Sequence, residues 1–259
     1  MFTSNPFAEL SASISPSVMQ TYIIVMVVLV VVGTVYDVVH KKSARYFREN
    51  MRKSKAMATR KVGGGEMISM ALKTAIVDVA SSGEFCDPRR RIAHLLTMYG
   101  FLSFAITTVL MVFCYETTAT PAIVAQLWYL GALMVCVGGY WFWFFIRVDV
   151  AAEGNSPFRI VRADLFVLML LGSATFGLVW AYLQSKGSPW TMSAFGLYVI
   201  TTTVLFGSVP WSKFAHMFFK PAAAFEKRMS AANGSRSNLP APADKPETFG
   251  NAGQQSHHY

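Results

Sequence analysis

Three histidines ahead of the C-terminal tail, His40, His94 and His216, are the residues of this chain best suited to chemistry. His94 follows the run Arg89-Arg90-Arg91 by three positions. His216 sits in Val209-Pro-Trp-Ser-Lys-Phe-Ala-His-Met-Phe-Phe-Lys-Pro221, among aromatics and between Lys213 and Lys220. A neutral imidazole ligates metals, hydrogen-bonds carbonyls and exchanges its proton near neutral pH. The cysteines Cys86, Cys114 and Cys136 have no C-x-x-C spacing, so by themselves they build no zinc or iron–sulfur site.

What must position these groups is apolar. The chain has 259 residues, 53% of them hydrophobic and 14% charged, about half the usual charged share. Its mean hydropathy is +0.39. Several apolar runs reach the ~20 residues that span a ~30 Å hydrocarbon layer. Alternation in segments of about ten residues is missing, which excludes a β-barrel. The predicted fold is all-α, an integral membrane bundle of five helices. The net charge of +9 lies beside the apolar runs, which points to anionic lipid and topology rather than nucleic acid.

In chain order, residues 1–17 form a polar N-terminus, too poor in Lys and Arg for a cleavable leader. The first span is 18–40, with Asp37 expected near the headgroups and able to pair with Lys41. Residues 41–91 form a polar loop. Its first part is a basic surface helix carrying Arg45, Arg48, Arg52 and Lys53, and Gly63-Gly-Gly65 breaks it. Met67, Ile68, Ala71, Leu72, Ala75, Ile76 and Val79 then recur at helical spacing, an apolar stripe for lipid or a partner. Residues 92–221 hold four further spans. The third span, 122–146, ends in a girdle of Tyr140, Trp141, Trp143, Phe144 and Phe145. Ser173 and Gly177 give the fourth a small-residue packing face. Residues 222–259 read as a disordered tail after a short helical start.

An N-terminus outside and a C-terminus inside place every Lys and Arg except Lys186 on the cytoplasmic side. His40, His94 and His216 then fall on that same side. His94 lies about 4–5 Å deeper than Arg91 along its helix. Two imidazoles facing across a bundle suit a six-coordinate haem iron, with Arg89–Arg91 and Lys213 placed to pair with propionates. A quinone pocket is an equal reading, with a histidine on one carbonyl and aromatics such as Trp211 on the ring. So is a plain interfacial role for these histidines. A transporter is disfavoured, since charges deep in the spans and an inverted repeat are both missing.

Arg90-Arg-Ile-Ala-His-Leu-Leu-Thr-Met-Tyr-Gly-Phe101 resembles the start of the haem b membrane module of heterodisulfide-reductase-like complexes. Pro210-Trp-Ser-Lys-Phe-Ala-His-Met-Phe-Phe-Lys-Pro221 resembles the end of that module. The quinone-interacting membrane-bound oxidoreductase complex has a similar membrane subunit. Five spans without a cysteine-rich segment look most like the membrane anchor of dissimilatory adenylylsulfate (APS) reductase. The resemblance covers roughly residues 85–221 and is specific at the two histidine motifs. It implies a multi-pass protein of the bacterial cytoplasmic membrane that carries electrons between a cytoplasmic flavin/iron–sulfur APS reductase and quinone. By motif it implies His94 and His216 as haem b ligands, with Arg90, Arg91, Lys213 and Trp211 around the cofactor. The sulfur chemistry would belong to the partner, since no catalytic constellation is present here. The alternative expectation is a purely structural anchor for a soluble redox enzyme, without cofactor.

Overall fold

The computed structural model describes residues 2–40, 43–83, 85, 87–116, 119–149, 154, 156–211, 216–236 and 239. Among these, all regular secondary structure is helical. The chain divides into two compact units, one of Met1–Asp37 with Ser82–Ala215, the other of Val38–Ser81 with His216–Tyr259.

The first unit begins with a short helix, α1 (Pro6–Leu10), inside the segment expected to be a polar N-terminus. Phe7 and Leu10 are buried in the core, which the polar composition of residues 1–17 does not announce. Asn5 caps α1, its Oδ1 accepting from the Phe7 and Ala8 amides. Its Nδ2 donates to Tyr115 O at 3.1 Å and Thr120 Oγ1 at 3.0 Å, tying α1 to the chain after the second span. The long helix α2 (Pro16–His40) buries Met19, Met26 and Gly33, a seven-residue repeat down one side. Gly33 matters because a Cβ there would meet Val209 Cβ at 3.0 Å and Pro210 Cδ at 3.2 Å. Asp37 is 1% exposed. Its expected partner Lys41 lies outside the described residues.

Helix α5 (Pro88–Phe113) starts on an Asp87 cap with Pro88 in the first turn, the arrangement that best satisfies the free amides of a helix start. Helix α6 (Ala122–Trp141) continues as a π-helical stretch, Phe142–Ile146. Helix α7 (Leu165–Ser185) ends at a turn where Gly187 takes φ +62°. Helix α8 is Thr191–Gly207. Among the described residues, four helices are long and apolar enough to cross a membrane: Pro16–His40, Pro88–Phe113, Ala122–Ile146 and Leu165–Ser185. Helix α8 has 17 residues and is about 25 Å long, short of a full ~30 Å crossing by itself.

Two seams hold the bundle. Between α5 and α6 the backbones touch, since a Cβ at Gly131 would lie 2.7 Å from Phe104 N and one at Gly138 2.7 Å from Ala93 O. Between α7 and α8 the expected small face is used. Ser173 Oγ lies 2.8 Å from Thr202 Oγ1, and the Gly177 position faces Phe104 and Tyr198. The core is aromatic, with Trp180 stacked on Tyr198 at 5.8 Å and Phe7 edge-on to Trp128 at 5.9 Å.

The second unit contains the basic helix α3 (Ser43–Ala56), α4 (Gly64–Lys73) with a π-helical continuation Thr74–Ala80, and α9 (His216–Ala232). Its interior is polar. Asn233 Nδ2 donates to Ser54 Oγ at 2.9 Å, and Arg228 grips Asp78 in a fork at 2.8–2.9 Å. Helix α9 runs to Ala232, farther than the tail composition predicts, and carries Pro221 inside it. The disorder expected of the tail beyond Pro240 lies outside the described residues. On α3 the Arg45 guanidinium hydrogen-bonds Glu49 and holds its carboxyl below the usual carboxylate range.

Candidate functional site

The structure builds one histidine site in the first unit. Asp87 and Pro88 start α5, so Arg89, Arg90 and Arg91 occupy its first turn and His94 the second. The loop before the helix turns back at Ser82, which is 1% exposed and held at φ +50°. That conformation is uncommon for a residue with a Cβ and signals a locally determined backbone. Ser82 Oγ lies 3.0 Å from His94 Nδ1. The Phe85 ring lies 4.9 Å from the half-buried imidazole. Arg90 places its guanidinium carbon 5.9 Å from the Phe85 ring and 6.0 Å from the Phe142 ring at the end of α6. Arg89 reaches Asp149 at 3.4 Å.

A hydroxyl on Nδ1 orients the ring, an arrangement also found in the outer shell of ligating histidines. The α5–α6 seam limits where a cofactor could sit. Ala93 and Thr97 crowd against Gly138 with no room for a plate-like group, so His94 serves the side of α5 against which the preceding loop packs Ser82 and Phe85.

Arg91 is half-buried in the same turn as Arg90. Trp211, in the first unit, is 69% exposed after the buried Val209. Lys213 and the side chain of His216 lie outside the described residues, and the His216 backbone opens α9 in the second unit. Among the described residues no group of three or more His, Cys, Asp or Glu side chains gathers as a metal site. A haem with two axial imidazoles needs no such group.

Sequence reasoning missed Ser82. The only available signal was a Ser-Ser-Gly turn before the arginine run, which does not tell which serine faces the histidine. It also missed Arg147, which sequence reasoning counts only among the cytoplasmic Lys and Arg. Arg147 is 2% exposed and donates to Asp164 Oδ2 at 2.6 Å, Arg159 O at 2.7 Å and Ser156 O at 3.2 Å. Its guanidinium lies 4.1 Å from the Trp143 ring, so this girdle residue is part of a buried clamp. No family model, curated protein or solved structure matches this chain.

Proposed function

We propose that this chain is the membrane anchor and electron-transfer subunit linking a cytoplasmic flavin/iron–sulfur APS reductase to membrane quinone. It would cross the bacterial cytoplasmic membrane five times, N-terminus out, with α8 and the residues after it completing the fifth crossing. The observation that carries the reading is His94. It sits in the second turn of an apolar helix, beside three arginines, with Nδ1 engaged by a buried serine.

When bound, haem b supplies a one-electron carrier that divides the two electrons of sulfite oxidation for delivery to quinone. His94 would hold its iron through Nε2, and His216 is the second ligand implied by the motif. Ser82 orients the His94 ring. Arg90, held between Phe85 and Phe142, would offer positive charge to a propionate, with Arg91 and Lys213 in the same role. Trp211 is the aromatic proposed for the quinone ring. The soluble partner would turn sulfite and AMP into APS and release the electrons.

The test is the reduced-minus-oxidised spectrum of the purified protein, expressed with haem available. A b-type band in wild type, lost in His94→Ala and in His216→Ala but kept in His40→Ala, is the expected result. Its absence in wild type removes the haem and leaves the quinone site or the structural anchor. Reporters after Lys61 and within Glu116–Thr120 should read cytoplasmic and periplasmic respectively, and the reverse would overturn the topology.

A further inference from the structure

A cavity of ≈450 Å3 lies in the first unit between α2 and the faces of α5, α7 and α8. That is within the range of ligand pockets, about 300–1,000 Å3. Its wall is nearly all hydrocarbon, from Met26 and Val30 on one side to Phe101, Ala105 and Leu205 on the other. The hydroxyls it contains already have partners. Tyr22 Oη lies 3.0 Å from Thr203 Oγ1, Ser173 Oγ is 2.8 Å from Thr202 Oγ1, and Thr108 Oγ1 donates to Phe104 O at 2.7 Å. Tyr198 shares its hydroxyl with Thr108 and Thr202. Water, which needs two to four polar partners, finds no place here. Left empty, the wall would lose its dispersion contacts along one whole side.

The shape then selects the occupant. Along α2 the wall runs from Val18 to Val31, roughly 20 Å at the helical rise. Spread over that length the volume gives a cross-section of roughly 23 Å2, the width of one chain with walls at ~4 Å contact. A straight acyl chain, with no branches along its length, fits a slot of that mean width. Val18, Val27 and Val31 line the slot yet stay 57%, 55% and 57% exposed, so it opens sideways toward the bilayer. We infer that the slot between α2 and the bundle holds one acyl chain of a resident phospholipid, which serves as part of the bundle's packing. The inference needs only that the chain is in a membrane and does not depend on haem or on the partner enzyme.

The experiment is lipid extraction and native mass spectrometry on the full chain purified in mild detergent, with extensive washing. Wild type should keep one phospholipid per chain. Ala105→Phe fills the slot and should lose it at least tenfold, while Ile106→Phe, on the exposed face of the same helix, should keep it. If Ala105→Phe fails to fold, Val109→Phe blocks the same wall and is read instead. Equal retention in all variants, no retained lipid in wild type, or a prenyl quinone retained at unit stoichiometry would each overturn the inference.

Discussion

Ser82 Oγ stands 3.0 Å from His94 Nδ1, and Ser82 holds that position at φ +50°. A hydrogen bond to the far nitrogen of a ligating imidazole is worth about 10–100-fold in metal affinity. We expect Ser82→Ala to lower haem per chain by about tenfold in a preparation washed free of excess haem. Ser82→Gly separates strain from ligation. Glycine adopts positive φ without penalty, so this variant should be as stable as wild type and still lose haem. Haem content unchanged in both variants would take Ser82 out of the site.

Arg147 and Asp164 are buried together, with side chains 3% and 10% exposed. Arg147→Met would leave the carboxylate buried without its cation, a change that costs about 3–5 kcal/mol. Thermal unfolding followed by helical circular dichroism should show a clear drop for Arg147→Met. The double variant Arg147→Met/Asp164→Leu should recover more than half of it, because both charges are then gone. Additive losses in the double variant would show that the pair is not the clamp.

The α5–α6 seam gives a contrast within one residue type. Gly131→Leu drives a side chain into the Phe104 backbone and should cost about 1–3 kcal/mol or more, reducing the yield of folded protein. Gly196→Leu on α8 meets nothing within 4 Å and should leave yield and unfolding temperature near wild type. Size-exclusion profiles of the two variants in one detergent make the comparison.

Ile68, Leu72 and Ile76 on α4 and its continuation are 64%, 58% and 63% exposed, so α3 and α9 do not cover the stripe. Leu72→Glu/Ile76→Glu should reduce recovery of the soluble enzyme with washed membranes severalfold, without loss of the membrane subunit itself. Neutralising Arg45, Arg48, Arg52 and Lys53 should instead flatten the salt dependence of that recovery, since exposed charges act through a screened field. Wild-type recovery on the Leu72→Glu/Ile76→Glu membranes would move the docking site elsewhere.

The all-helical class and four long apolar helices are legible because spans depend on length and hydropathy alone. The break at Gly63 and the helix over Met67–Val79 follow from glycine chemistry and apolar period. Other features have no local signature. Phe7 looks like part of a polar N-terminus, and its burial depends on Asn5 reaching the chain after α5. Arg147 reads as one more inside-positive charge, and its burial needs Asp164 seventeen residues away. The α5–α6 seam was overlooked because Gly131 and Gly138 are spaced by seven rather than four. His94 was legible as a candidate from the arginines before it. The serine that orients it depends on a backbone conformation that composition does not encode.

The proposed role is tested most directly by electron transfer. Membranes carrying this chain would be mixed with purified soluble APS reductase, sulfite and AMP, and reduction of a short-chain ubiquinone analogue followed by absorbance. We expect quinone reduction well above that of membranes lacking the chain, with the activity lost in His94→Ala while the enzyme still sediments with the membranes. Equal rates with and without the chain would contradict the electron-transfer role, and an enzyme that also stays in the supernatant would contradict the anchor.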